Sequence, residues 1–111
     1  MMTKIYGIKN CDTVKKALKF MNEAQAEYEF IDFKKVAPTK KDIQRWTELF
    51  GDLPVNKRGT TFRKIKEDWD KANEAGRIQL LLDNTSAIKR PIAEGKKNVL
   101  GFEEEEWKHL I

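Results

Sequence analysis

Cys11 is the only cysteine of the chain. It stands in YGIKNCDTVKKALKF, Tyr6 to Phe20, where a short apolar run gives way to a helical pattern. A sulfur at that junction lies in the first turn of a helix, where free backbone N–H groups and the helix dipole favour thiolate over thiol. The chemistry on offer is nucleophilic attack. Lys9 adds positive charge beside it, whereas Asp12 opposes ionisation if its carboxylate faces the sulfur. The competing role is a small buried hydrophobe, since free cysteine is among the most buried residue types. Position at the mouth of a helix favours the reactive role.

Two further segments carry groups suited to such a sulfur. NKRGTTFRK, residues 56–64, offers Arg58 and Arg63 on either side of Gly59. Their planar guanidinium forks match carboxylates and oxyanions, and their charge would steady a nearby thiolate. A solvated loop would use the same residues. IKRPI, residues 88–92, sets Arg90 before Pro91 at the start of a strand, a position that tolerates proline. Most X-Pro bonds are trans, about nineteen in twenty, so the pattern alone leaves this isomer open. His109, the only histidine, lies far along the chain from Cys11, which disfavours a Cys-His dyad. One cysteine makes neither an internal disulfide nor a cysteine-only zinc site. Any covalent redox partner must therefore come from outside, and no metal is expected.

These groups need elements to hold them. Thr3 to Ile8 reads as a buried strand, and from Asp12 the residues Val14, Ala17, Leu18 and Met21 fall at helical spacing. Ala26 to Phe33 alternates as a second strand, so the first two strands pair most economically in parallel through the intervening helix. After Pro38 a helix is predicted, with Thr39 and Asp42 as a capping box and Ile43, Trp46 and Phe50 keeping its period. Leu53 to Lys64 is a turn-rich interruption loaded with cations. Helical patterning resumes through Trp69 and Ala72, breaks near Gly76 and returns in Ile78, Leu81 and Leu82. AIKRPI and KNVLGF flank Glu94, Gly95 and Lys96 as a hairpin, and Trp107, Leu110 and Ile111 close the chain as a small amphipathic helix. The order is βα, β, helices, ββα, without internal repeats.

A chain of 111 residues suits one domain. With 40% hydrophobic and 36% charged residues in periodic patterns, a soluble globular domain is expected rather than a disordered chain. No apolar run approaches the roughly 20 residues that span a bilayer, and the amino terminus lacks a signal-peptide core, so a cytoplasmic monomer off the membrane is expected. The net charge of +4 is spread among neighbouring acids and meets the acidic run Glu103 to Glu106, which argues against nucleic acid as a partner.

YGIKNCDT, RGTTFRK and IKRPI, in that order and followed by LGF, resemble the ArsC/Spx family of thioredoxin-like proteins, in its YffB-type branch, over essentially the whole chain. The resemblance implies an α/β fold in one domain, residues 1–111. A thioredoxin-like mixed sheet would be flanked by helices, with a helical insertion at about residues 38–86 between the βαβ unit and the C-terminal ββα unit. It implies a cis Arg90–Pro91 bond facing the cysteine. Cys11 would be the nucleophile and Arg58 and Arg90 the two arginines that gather an anionic substrate at the sulfur, with Lys9, Asn10, Arg63 and Pro91 as substrate contacts. The activity implied is that of a monothiol reductase with glutathione as external reductant and a thiol or disulfide compound as substrate. Two alternatives accompany it: an Spx-like module that docks on a protein partner with little catalysis, and an arsenate reductase.

Three departures bear on the choice. Arsenate reductases of the family carry a histidine four residues before the cysteine, and Gly7 stands there. Phe102 takes the place of a third arginine, and the serine that follows the cysteine is missing, with Val14 in its neighbourhood. Spx regulators carry a CxxC switch, which Asp12, Thr13 and Val14 after Cys11 rule out.

Overall fold

In the structure, a computed structural model describing residues 2–111, the elements run β1 (Thr3–Gly7), α1 (Asp12–Glu23), β2 (Tyr28–Asp32), α2 (Lys40–Phe50), α3 (Thr60–Lys71), α4 (Glu74–Asp83), β3 (Ile92–Glu94), β4 (Asn98–Leu100) and α5 (Glu104–Trp107). Short 3-10 turns follow α4 at Thr85–Ala87 and α5 at Lys108–Leu110. The chain divides into two compact units, a sheet unit of the residues up to Val36 with Arg90–Ile111 and a helical unit of Ala37–Lys89.

In the sheet unit the strand order is β2-β1-β3-β4. β1 and β2 pair in parallel, Thr3 opposite Tyr28 and Gly7 opposite Asp32, which α1 makes possible as the crossover. β3 runs antiparallel to β1, with Tyr6 opposite Ile92, and β4 returns antiparallel to β3. α1 buries Val14, Ala17 and Met21, one stripe at helical spacing. Ala17 and Met21 join Ile5, Ala93, Val99, Trp107 and Leu110 in one apolar cluster. Trp107 is fully buried and its indole N–H donates to the Gly101 carbonyl at 2.9 Å, so its polar atom enters the core satisfied. Lys97 hydrogen-bonds Glu106, which holds that exposed carboxyl below the usual carboxylate range.

β2 begins two residues later than the alternation predicts because Ala26 lies in the turn that closes α1, its N–H donating to the Met21 carbonyl at 3.0 Å. A positive φ of 55° at Gln25 turns the chain there. Phe33 nonetheless continues the edge, donating to the Gly7 carbonyl at 2.8 Å.

In the helical unit α2 opens with the capping box expected from Thr39 and Asp42. The Asp42 N–H donates to the Thr39 hydroxyl at 3.1 Å, and the Thr39 N–H to the Asp42 carboxylate at 2.9 Å. The helix closes at Gly51, whose φ of 79° is the left-handed conformation glycine adopts without strain. α2 and α3 both pack on α4, burying Ile43, Trp46, Phe62, Trp69, Ile78 and Leu81.

Three boundaries differ from the pattern. The helical break falls at Ala72 and Asn73, not near Gly76, because the Asn73 side chain caps α4 by accepting from the Gly76 N–H at 2.8 Å. The cationic interruption ends at Gly59, which stands extended as the N-cap of α3, so Arg63 and Lys64 lie on a helix. The AIKRPI segment is not one strand: Ile88 makes a single antiparallel bridge with Val55, and β3 starts only at Ile92. Pro91 has no N–H to extend the ladder. Among the described residues no helix is long and apolar enough to cross a membrane.

Candidate active site

Cys11 is the residue that turns β1 into α1. Its backbone is extended, φ −95° and ψ 126°, its N–H donates to the Ile8 carbonyl at 3.2 Å, and its carbonyl accepts from Lys15 at 2.9 Å, the first bond of the helix. The thiol itself makes no capping hydrogen bond, and the residue is half-buried. Lys9 and Asn10 form the exposed turn just before it. The cysteine thus stands beside the unsatisfied N–H groups of the first turn, the placement expected of a nucleophile.

The Arg90–Pro91 peptide bond is cis. Carried one residue beyond the Tyr6–Ile92 pair, the antiparallel register sets Pro91 opposite Gly7. Pro91 and the Cys11 turn therefore leave the same end of β1, where β2 also ends. In open α/β sheets the crevice beyond the carboxyl ends of the parallel strands is the habitual ligand site. Pro91 is buried and its carbonyl accepts from the Gly101 N–H at 2.8 Å, while Arg90 is half-buried. Beside Lys9, between α1 and β2, opens a hollow of about 310 Å³ lined by Leu18, Phe30, Ile31, Lys35 and Val36 among others; Cys11 is not part of its lining.

Of the residues singled out in the sequence, the sheet unit brings Lys9, Asn10, Cys11, Arg90 and Pro91 to that end. Arg58 and Arg63 belong to the helical unit. Arg58 is exposed in the turn before Gly59, and Arg63 is exposed on the second turn of α3, within a helix instead of the loop expected for it. Sequence reasoning passed over Asn56, which shapes the Arg58 turn by accepting the Arg58 N–H on its side-chain oxygen at 3.2 Å. An Asn three residues before a Gly, as in Asn56-Lys57-Arg58-Gly59, is a turn signal that identifies it. Among the described residues no group of three or more His, Cys, Asp or Glu side chains is arranged to hold a metal ion.

The departures noted in the sequence have steric causes. A Cβ on Gly7 would stand 2.8 Å from a Val14 methyl, so α1 rests directly on the β1 backbone and Val14 fills the space that any side chain at residue 7 would need. Gly7→Ala is expected to cost about 1–3 kcal/mol by overpacking. Gly7→Ala with Val14→Ala should lose less than the sum of the two single changes, a coupling that urea unfolding of all three variants measures. Phe102 is held edge-to-face between Phe20, centroids 5.8 Å apart, and Trp107, at 5.3 Å, so its position serves the core.

The mixed sheet, with a cysteine at the start of its first helix and a cis-proline ahead of its third strand, is that of a thioredoxin-like protein. The chain belongs to the ArsC family, whose model matches residues 6–110. It is 37% identical over 109 residues to an uncharacterised protein of Haemophilus influenzae, covering 96% of each. Among solved structures it is similar to the YffB protein, with a TM-score of 0.88, 36% identity and 98% of each chain covered. An arsenate reductase from Vibrio cholerae has the same fold, with a TM-score of 0.83 over 100% of this chain and 98% of that one, at 13% identity. Membership suggests oxidoreductase activity in general.

Proposed function

We propose that the protein is a monothiol reductase that uses Cys11 as nucleophile and glutathione as its reductant. The observation that carries this reading is the half-buried, uncapped thiol of Cys11 at the end of β1, beside the Arg90–Pro91 corner. For a glutathione mixed disulfide, the Cys11 thiolate attacks the glutathione sulfur, the old S–S bond breaks, and the substrate leaves as a thiolate that takes up a proton. A second glutathione thiolate attacks the glutathione sulfur of the Cys11 adduct, releasing oxidised glutathione and the free Cys11 thiolate. The net change consumes one reduced glutathione for each mixed disulfide: its sulfur pairs with the glutathione already held in that disulfide, and the substrate sulfur is released as a thiol. With one cysteine in the chain, the second thiol must be external.

Arg58 and Arg90 serve in this reading as donors to the glutathione carboxylates, with Arg63 as a flanking cation. Lys9 and Asn10 meet the ligand at the turn, and the backbone beside Pro91 pairs with its peptide part in an extended register. Arsenate is disfavoured as substrate because Val14 occupies the space that a residue-7 side chain would need.

The experiment is exposure of the protein to oxidised glutathione followed by peptide mass spectrometry, with turnover of a glutathionylated peptide by reduced glutathione measured alongside. One glutathione on Cys11 and glutathione-dependent turnover are expected. An unmodified Cys11 with no turnover overturns the proposal.

A further inference from the structure

Arg58 is exposed and long, and such a side chain recognises an anion well only if its backbone origin is held still. Asn56 does the holding. Its side-chain oxygen accepts the Arg58 N–H at 3.2 Å, closing an Asx turn, and its carbonyl accepts the Gly59 N–H at 3.4 Å. Its own N–H donates to the Ala87 carbonyl at 2.7 Å, and next to it the Lys89 N–H donates to the Pro54 carbonyl at 2.9 Å around the Val55–Ile88 bridge. The side-chain nitrogen occupies the space beside Gly59, where an added Cβ would stand 3.0 Å from it, so residue 59 has to lack a side chain for this turn to close as it does. The turn carrying Arg58 is thereby clasped to Ala87 and Lys89 within the helical unit.

We infer that Asn56 is a positioning residue for Arg58, aiming its guanidinium at the carboxylate of a glutathione-type ligand. This rests on the reductase reading above. Asn56 touches no reacting atom in this role; its effect passes through the Arg58 backbone. It should therefore act on ligand affinity more than on the chemical step.

The test is steady-state kinetics of the full chain with glutathione as the varied substrate, on wild type, Asn56→Ala, Asn56→Ser, Arg58→Ala and the Asn56→Ala/Arg58→Ala pair. Asn56→Ala is expected to raise the glutathione KM roughly tenfold with kcat within about twofold. Asn56→Ser, whose hydroxyl accepts the same N–H without adding charge, should recover most of that loss. The double variant should be no worse than Arg58→Ala alone, because a residue acting only through Arg58 has nothing left to lose. Losses that add in the double variant assign Asn56 a general structural role and overturn the inference. A KM unchanged in Asn56→Ala, or in Arg58→Ala, also overturns it while leaving the reductase reading in place, whereas a wild-type protein with no glutathione turnover removes both. Should Asn56→Ala fail to fold, the Asn56→Ser protein carries the comparison: a KM raised as far as that of Arg58→Ala overturns the inference, and one near wild type supports it.

Discussion

Cys11→Ser is expected to reduce glutathione-dependent turnover by a factor on the order of 10³ or more while leaving the fold at least as stable as before. The two halves of that result have one structural origin. Cys11 occupies the N-cap of α1, yet its thiol makes no capping hydrogen bond. Serine is among the preferred N-cap residues, because its hydroxyl oxygen accepts from the N–H two or three residues on. The substitution thus removes the nucleophile and adds a cap, a gain of up to about 1 kcal/mol in unfolding free energy. Assay of a glutathionylated peptide together with urea unfolding measures both. Undiminished turnover in the serine variant would show that the reaction does not pass through this sulfur. A large loss of stability would show that the sulfur was part of the core.

Trp107→Ala is expected to lower the unfolding free energy by about 3–5 kcal/mol, a large share of what a domain of this size has. Trp107 is fully buried, packs edge-to-face on Phe102 and joins α5 to the β-sheet core of Ile5, Ala93 and Val99. The indole also donates to the carbonyl of Gly101, the residue whose N–H holds the Pro91 carbonyl. Trp107→Phe separates the two contributions. It keeps most of the ring packing and strands the Gly101 carbonyl, at a cost of about 1–3 kcal/mol. In urea the midpoint should fall in both variants with the slope little changed. A Phe variant as stable as wild type would mean that the hydrogen bond contributes nothing net. An Ala variant within about 1 kcal/mol of wild type would contradict the packing described for this residue.

Both substitutions bear on the same end of the sheet. Trp107 supports Gly101, Gly101 supports Pro91, and Pro91 stands across from Gly7 at the end of the strand that delivers Cys11. A partly unfolded α5 should loosen both the Pro91 corner and the face of α1 that carries Ala17 and Met21, because these two residues share one apolar cluster with Trp107 and Leu110.

What the sequence by itself determined is local. The stripe of α1, the capping box of α2 and the cysteine at a strand-to-helix junction each depend on residues within about one turn of one another, and periodicity and cap chemistry report such neighbours directly. The parallel pairing of the first two strands followed as well, because a helix between them leaves few other connections. The glycine at residue 76 misled because its flexibility reads as a break, whereas the side chain of Asn73 sets the true one.

Only the tertiary structure decided which distant residues meet. Nothing near Gly7 in the chain announces that a Val14 methyl presses on it, and nothing near Asn56 announces a bond to Ala87 thirty-one residues on. The insertion of β3 beside β1 with Tyr6 opposite Ile92 is what sets Pro91 at the cysteine end of the sheet. The isomer of Arg90–Pro91 belongs to the same class, since the intrinsic bias of an X-Pro bond is small enough for its surroundings to choose. Side-chain types constrain what a residue does to its nearest neighbours along the chain; closing a loop of tens of residues depends on the packing of everything between, and that sum is expressed only in the folded molecule.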